Sequence, residues 1–123
     1  ACIDARGFLV ASIMAYQLGL PLVLVRKKGK LPGKTVRQEY NLEYGTSEIE
    51  MQIDAVQAGD RVLVFDDLIA TGGTLLAACK LIKKLGASVV ESAAMINLPD
   101  LAGASLLEKD NIPVFTLLSY EGL

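Results

Sequence analysis

The chain of 123 residues contains no histidine and no tryptophan, and it has only two cysteines. The lack of histidine excludes a histidine general base and argues against a zinc site. Cys2 and Cys79 lie far apart in the sequence, so no disulfide framework is indicated and a reducing compartment is expected. Every apolar run ends well before the roughly 20 residues of a membrane-spanning helix, and no secretory signal is recognisable. We therefore expect a cytoplasmic protein without a membrane partner.

The composition favours a single domain formed by residues 1–123. Apolar residues make up 52% of the chain and the mean hydropathy is +0.42, which suffices for one core. The net charge of −2 and the pI of about 5.1 argue against a nucleic-acid partner. The chain opens with Ala1 instead of methionine, in a segment typical of the end of a strand. We therefore expect an N-terminally incomplete portion of a longer protein.

The spacing of apolar residues predicts strands that alternate with helices. The predicted helices cover 8–18 and 74–86, and a turn with a short helix is predicted within 98–111. The predicted strands cover 22–25, 62–65, 89–98 and 113–120. Strands and helices in this order form right-handed βαβ units. We therefore predict an α/β fold, with a parallel sheet and helices on both of its faces.

Residues 37–53 follow a different pattern, in which apolar and polar side chains alternate strictly on either side of the turn residues 45–47. Two alternating runs joined by a short link predict an antiparallel ribbon. The polar side of this ribbon carries Glu39, Asn41, Glu43, Glu48 and Glu50. We therefore expect the ribbon to project from the body, either as a flexible loop that closes over a site, as a sheet extension or as a dimer arm.

The segment VLVFDDLIATGGT, residues 62–74, runs from a buried strand into a glycine-rich turn at the start of a helix. Backbone amides and the helix dipole at such a position favour an anion, and paired glycines let a phosphate approach closely. The alternative interpretation is an ordinary helix N-cap at Thr74. Neither the P-loop motif nor the GxGxxG motif is present, which disfavours an ATPase and a dinucleotide-binding enzyme.

Two adjacent carboxylates, Asp66 and Asp67, stand where this strand meets the turn. Adjacent carboxylates repel each other, but they can accept hydrogen bonds from a vicinal diol or help to hold a hydrated magnesium ion. A basic cluster, RKKGK at 26–30, follows the strand predicted at 22–25. Since ligands bind beyond the carboxyl ends of parallel strands, both features are expected at one crevice. A ribose 5-phosphate with a second anionic group fits this combination, and a solvated basic loop is the alternative for 26–30.

The segment 62–74 resembles the phosphoribosyl pyrophosphate motif of the type I phosphoribosyltransferases. Four further segments, DARGF at 4–8, VRKKGKLPG at 25–33, EYNLEYGT at 39–46 and VFTLLSYE at 114–121, resemble the adenine-specific members of that family. The resemblance implies the type I fold and transfer of the 5-phosphoribosyl group from phosphoribosyl pyrophosphate to adenine. It also implies Mg²⁺ as the cofactor, AMP and pyrophosphate as the products, and a homodimer.

The resemblance further implies a role for each matching residue. Phosphoribosyl pyrophosphate would be bound by Asp4, Ala5, Arg6, Arg26, Lys30, Asp66, Asp67, Ala70, Thr71, Gly72, Gly73 and Thr74. Within this set, Asp66 and Asp67 would take the ribose hydroxyls and would reach the metal only indirectly, through ribose or water. Residues 70–74 would hold the 5-phosphate. The 4–7 loop would bind pyrophosphate, in this family often through a cis peptide.

Catalytic roles would fall to Arg26, Glu43 and Tyr44, with Glu43 for proton transfer at the purine. Base contacts would fall to Arg6 and Ile69. We expect the family's N-terminal hood, which supplies much of the base pocket, to be absent from this sequence. Two alternatives therefore stand beside adenine transfer. One is a transferase for another purine such as xanthine or hypoxanthine, and the other is a non-catalytic module that binds nucleotide or phosphoribosyl pyrophosphate as a regulatory signal.

Overall fold

The computed structural model describes residues 1–42 and 44–121. Glu43, expected above to transfer a proton, lies outside the described residues. The described elements alternate along the chain much as predicted. They are β1 (Cys2–Ile3), α1 (Gly7–Leu18), β2 (Leu24–Lys27), β3 (Thr35–Asn41), β4 (Thr46–Gln52), β5 (Arg61–Ile69), α2 (Gly73–Lys84), β6 (Ser88–Asn97), a 3₁₀ helix (Pro99–Leu101), α3 (Gly103–Lys109) and β7 (Val114–Ser119).

The strands of the described chain form one sheet in the order β3-β4-β2-β1-β5-β6-β7. Strand β1 pairs in parallel with β2 and with β5, and β6 continues the parallel arrangement between β5 and β7. The predicted parallel sheet is therefore confirmed for five strands. Strands β3 and β4 form the predicted antiparallel ribbon.

Helices cover both faces of the sheet, as predicted. Side chains alternate between the two faces along β5, so this strand packs against helices on each side. Phe65 packs with Ala11 of α1 in a small cluster on one face. Val64 belongs to the larger core on the other face, together with Leu81 of α2 and Leu107 of α3. These last three side chains are fully buried. The larger core therefore lies between the sheet and the pair α2 and α3.

Strand β5 is longer than predicted, since it continues through Asp66 and Asp67 to Ile69. Pairing with β6 extends to this last residue. On the other side β5 pairs with β1 only at Phe65, because β1 ends at Ile3. In the described chain, the two aspartates thus lie on a strand that has a neighbour on one side only, and its open edge borders the 4–7 loop.

The ribbon departs from its prediction in two respects. Thr46 and Ser47 belong to β4 instead of to the turn. Strand β4 also pairs antiparallel with β2, which places Glu50 opposite Arg26. The base of the ribbon therefore extends the main sheet instead of projecting from it. The expected solvent exposure of the polar side is wrong at Glu50, which is only 1% exposed, because this end of β4 lies under the loop that follows β2.

None of the described helices is long and apolar enough to cross a membrane. Cys2 and Cys79 are free thiols and both are buried. Burial raises the pKa of the Cys79 thiol to about 11. This thiol is therefore protonated and unreactive at neutral pH.

Candidate functional site

A cleft of about 240 Å³ opens at the carboxyl ends of β1, β2 and β5. Seven of its lining residues were singled out from the sequence as site residues. These lining residues are Asp4, Ala5, Arg6, Arg26, Asp66, Asp67 and Thr74. They come from four segments that are distant in the sequence, and the parallel topology brings them together because the strands end at the same edge of the sheet. The expected convergence of the acidic pair and the basic cluster on one crevice is therefore observed for Arg26 and Lys27.

Close packing at the start of α1 holds the 4–7 loop against β5. A Cβ atom at Gly7 would lie 3.3 Å from the carbonyl oxygen of Phe65 and 3.4 Å from the Cα atom of Asp66. The peptide bond between Asp4 and Ala5 is cis, as the resemblance implies. Gly7 therefore allows the loop and the acidic pair to approach one another closely.

Two ion pairs join the acidic residues of the cleft to the basic ones. Arg6 Nε lies 2.8 Å from Asp67 Oδ2, and Arg26 Nε donates a hydrogen bond of 3.0 Å to Asp4 Oδ2. The second pair is sheltered, since the side chains of Arg26 and Asp4 are 31% and 13% exposed. Asp4 therefore orients Arg26 at the cleft. The Arg6 side chain is 73% exposed, so water weakens its pair with Asp67.

Burial raises the pKa of the Asp66 carboxyl to about 7, and the neighbouring Asp67 carboxyl adds to the increase. The Asp67 amide donates a hydrogen bond of 2.7 Å to Asp66 Oδ1. This bond and the cationic Arg6 lower the pKa of Asp66, but they do not offset the increase that burial causes. At neutral pH the acidic pair therefore carries fewer than two full negative charges. Such a pair can both accept hydrogen bonds from a diol and donate one to it.

The turn at residues 70–72 leads into α2 without a side-chain cap. Helix α2 begins at Gly73, and its N-cap residue is Gly72 with a φ of 85°, a conformation that glycine adopts without strain. No side chain caps this end, and no acidic residue lies in the first turn. The alternative that Thr74 is the N-cap is therefore wrong. The first amides of α2 have no partner within the helix, and such a terminus favours a phosphate.

Helix α3 supports the turn through a contact between two glycines. A Cβ atom at Gly103 would overlap the carbonyl oxygen of Ala70 and would lie 2.8 Å from the amide nitrogen of Gly72. Conversely, a Cβ atom at Gly72 would lie 2.7 Å from the carbonyl oxygen of Gly103. Sequence analysis missed Gly103, because the contact joins positions that are 31 residues apart.

The same turn borders a second cleft of about 330 Å³. Thr71 and Gly73 line this cleft together with Lys80 and Tyr40. Tyr40 also lines the first cleft, so the two clefts adjoin at this residue. Sequence analysis did not single out Tyr40 within the ribbon 37–53, because alternation along a strand does not indicate which side chains border a cleft.

Seven of the described site residues that the sequence predicted do not line the first cleft. Four of them form the turn at 70–73, and the other three are Ile69, Tyr44 and Lys30. Ile69 is 1% exposed and packs in the larger core, so its side chain does not face either cleft. Tyr44 is 89% exposed beside the turn of the ribbon. Lys30 is exposed too, but its carbonyl oxygen accepts a hydrogen bond of 3.4 Å from Arg26 Nη1. That bond connects Lys30 to the cleft.

The phosphoribosyl transferase domain model matches residues 1–121. The adenine phosphoribosyltransferase of Marinomonas sp. (strain MWYL1) is 64% identical over 122 residues, which cover 99% of this chain and 68% of that protein. The crystal structure of adenine phosphoribosyltransferase from Rhodothermus marinus superimposes with a TM-score of 0.92 and 47% identity, over 96% of this chain and 66% of that one. The Saccharomyces cerevisiae enzyme, complexed with an imino-altritol 1,6-bisphosphate and adenine, gives a TM-score of 0.89 and 44% identity, over 94% and 64%. The chain thus spans about two thirds of the length of these relatives.

We expect Asp66→Asn to stabilise the protein more at pH 8 than at pH 5. The pKa of Asp66 is raised in the folded state, so the folded protein binds more protons than the unfolded chain between the ordinary carboxyl pKa and pH 7. Ionisation of this carboxyl therefore costs stability as the pH rises through that range. Asparagine removes the charge and keeps an oxygen for the Asp67 amide. Thermal unfolding measures the gain, and about 1 kcal/mol corresponds to about 4 °C in Tm.

The matched control is Asp54→Asn, which removes a carboxylate from an exposed turn. Its effect on Tm should be small and similar at the two pH values. A gain for Asp66→Asn at pH 5 that equals or exceeds the gain at pH 8 would contradict the raised pKa.

Proposed function

Because the chain belongs to the phosphoribosyl transferase family, we propose that it transfers the 5-phosphoribosyl group from phosphoribosyl pyrophosphate to adenine, giving AMP and pyrophosphate. The observation that carries this proposal is one cleft in which two adjacent carboxylates and a sheltered arginine meet beside an uncapped helix N-terminus. Each group matches one part of the sugar substrate, namely its hydroxyls, its pyrophosphate and its 5-phosphate. Adenine as the base is supported by the relatives named for it, one of which was crystallised with adenine.

In this proposal the acidic pair binds the ribose hydroxyls, and the residues 70–74 bind the 5-phosphate through amides and hydroxyls. Asp67 already forms an ion pair with the guanidinium group of Arg6. A ribose hydroxyl that takes this place releases the arginine. The exposed Arg6 side chain is then available to the pyrophosphate, while the backbone near Arg6 keeps its expected role at the base.

The reaction breaks the bond between the anomeric carbon and a pyrophosphate oxygen and forms a bond to the purine nitrogen. Negative charge grows on the leaving pyrophosphate, where Arg26 and Lys30 stabilise it. Asp4 supports this role because it holds Arg26 by a hydrogen bond of 3.0 Å. The ribbon segment that carries Glu43 and Tyr44 closes over the reacting atoms and excludes water, and Glu43 takes the proton that the purine loses.

The residues of the cleft fit a magnesium ion that arrives with the substrate. Within residues 1–42 and 44–121, no group of three or more acidic or cysteine side chains is arranged to hold a metal. Mg²⁺ commonly binds one or two carboxylates together with substrate phosphates and water. Asp66 and Asp67 would hold the ion indirectly, through ribose or water. The bound ion supplies positive charge to the leaving pyrophosphate.

We also propose a homodimer in the cytoplasm, where buried thiols such as Cys2 and Cys79 stay reduced. The outer side of α1 presents Leu9, Ile13 and Tyr16, which are 69%, 60% and 88% exposed. Apolar side chains grouped in this way are typical of a protein interface. Light scattering should give about twice the chain mass of 13.1 kDa, and the mass of a single chain would contradict the dimer.

The choice of base is tested by initial rates of nucleotide formation with adenine, hypoxanthine and xanthine, each with phosphoribosyl pyrophosphate and Mg²⁺. We expect kcat/KM for adenine to exceed the other two by about 100-fold or more, because hydrogen-bonding groups on the base are strongly discriminated. A preference for hypoxanthine or xanthine would identify a transferase for another purine. Binding of phosphoribosyl pyrophosphate without turnover of any of the three bases would identify a regulatory module.

For Glu43→Gln we expect kcat to fall by about 100-fold, since glutamine cannot accept the purine proton. KM for both substrates should change much less. The control is Glu39→Gln, which removes an exposed carboxylate from the same ribbon and should leave kcat within about twofold. A Glu43→Gln variant with the wild-type kcat and pH–rate profile would remove Glu43 from proton transfer.

A further inference from the structure

Glu50 is a buried carboxylate beneath the basic turn that follows β2. It is 1% exposed, which is rare for a glutamate unless its charge is matched by partners. Its Oε1 accepts hydrogen bonds from the backbone amides of Gly29 at 3.1 Å and Leu31 at 3.0 Å. Its Oε2 accepts a hydrogen bond of 3.3 Å from Thr35 Oγ1 and lies 3.4 Å from Arg37 Nε. Both oxygens of the carboxylate are therefore engaged.

These partners keep Glu50 ionised. Burial raises the pKa of this carboxyl, but the amides of Leu31 and Gly29, the Thr35 hydroxyl and the cationic Arg37 together bring its pKa below the ordinary value. A fixed negative charge therefore lies under a turn that carries several lysines. This charge reduces the repulsion among those cations.

The two amides that bind Glu50 flank Lys30 on either side. The turn is closed by a hydrogen bond of 3.3 Å from the Lys30 amide to the Lys27 carbonyl oxygen. Gly29 has a φ of 87°, a conformation that favours glycine. Glu50 thus determines the path of the backbone immediately before and after Lys30.

Arg26 connects this turn to the cleft. Its Nη1 donates a hydrogen bond of 3.4 Å to the Lys30 carbonyl oxygen, and its Nε donates one of 3.0 Å to Asp4 Oδ2. In the sheet Arg26 also lies directly opposite Glu50. A turn that moved away from Glu50 would therefore take with it one of the two groups that orient Arg26.

We propose that Glu50 is a positioning residue for the pyrophosphate of the sugar substrate: from outside the cleft it holds the turn at 27–31 so that Lys30 and Arg26 meet the anion together. This inference rests on the proposed function. Glu50 does not belong to the lining of the cleft, so it acts through the turn and does not touch the substrate. Ligands that carry pyrophosphate need the turn in place, whereas AMP lacks that group and does not.

The test is calorimetric titration of Glu50→Gln with phosphoribosyl pyrophosphate and Mg²⁺ and, separately, with AMP. Glutamine keeps the size and one acceptor oxygen of glutamate but removes the charge. We expect the Kd for phosphoribosyl pyrophosphate to increase about tenfold or more, while the Kd for AMP stays within about twofold. The matched control is Glu48→Gln, which removes the carboxylate two residues away, paired with Lys28 at 3.7 Å. Neither Kd should change there by more than about twofold.

An unchanged Kd for phosphoribosyl pyrophosphate, or an equal loss of affinity for both ligands, would overturn the positioning role. Unchanged binding of AMP also serves as the check that Glu50→Gln is folded. If this variant fails to fold, Thr35→Val removes one partner of the carboxylate and should weaken only phosphoribosyl pyrophosphate, by about twofold or more. Equal affinities of Thr35→Val and wild type would then overturn the role. A wild-type chain that binds neither ligand would refute the proposed function itself.

Discussion

Strand β1 pairs with β5 through Cys2 and Phe65 and then stops at Ile3. Beyond that point β5 continues with one neighbouring strand in the described chain, and its open edge carries Asp66 and Asp67. The chain that leaves β1 turns across this edge and enters α1 at Gly7, where a larger residue would press on β5. The cleft, its acidic pair and the 4–7 loop all follow from the difference in length between these two strands.

Carboxylates support three cations of the site, two of them by direct contact and one through the backbone. Asp4 orients Arg26, Asp67 pairs with Arg6, and Glu50 supports the turn that carries Lys30. These groups differ in solvent exposure, from the buried Glu50 to the exposed Arg6. Sheltered pairs keep their geometry, whereas an exposed pair readily exchanges partners. A site for a sugar with two anionic groups needs both sheltered and exposed pairs, because some cations must be preorganised and others must move when the ligand enters.

Local patterns were sufficient for the order of the elements. Helix α1 was predicted over 8–18 and runs from Gly7 to Leu18, because apolar spacing and a terminal glycine act within a few residues. The acidic pair and the glycine turn were recognisable for the same reason. Contacts between distant segments were not predictable. The extension of β5 depends on β6, the burial of Glu50 depends on pairing between β4 and β2, and Gly103 meets Gly72 only after folding.

The role of the cleft as a ribose 5-phosphate site is tested most directly by the affinities of wild type and Asp67→Asn for AMP and for inorganic pyrophosphate with Mg²⁺. Asp67 is one of the two carboxylates assigned to the ribose, and pyrophosphate has no ribose. Isothermal titration should show that Asp67→Asn weakens the binding of AMP by about tenfold or more and changes the affinity for pyrophosphate by a clearly smaller factor, because without ribose Asp67 reaches that ligand only through water or Arg6. AMP affinities that agree within about twofold between wild type and Asp67→Asn would contradict the assignment of the acidic pair to the sugar.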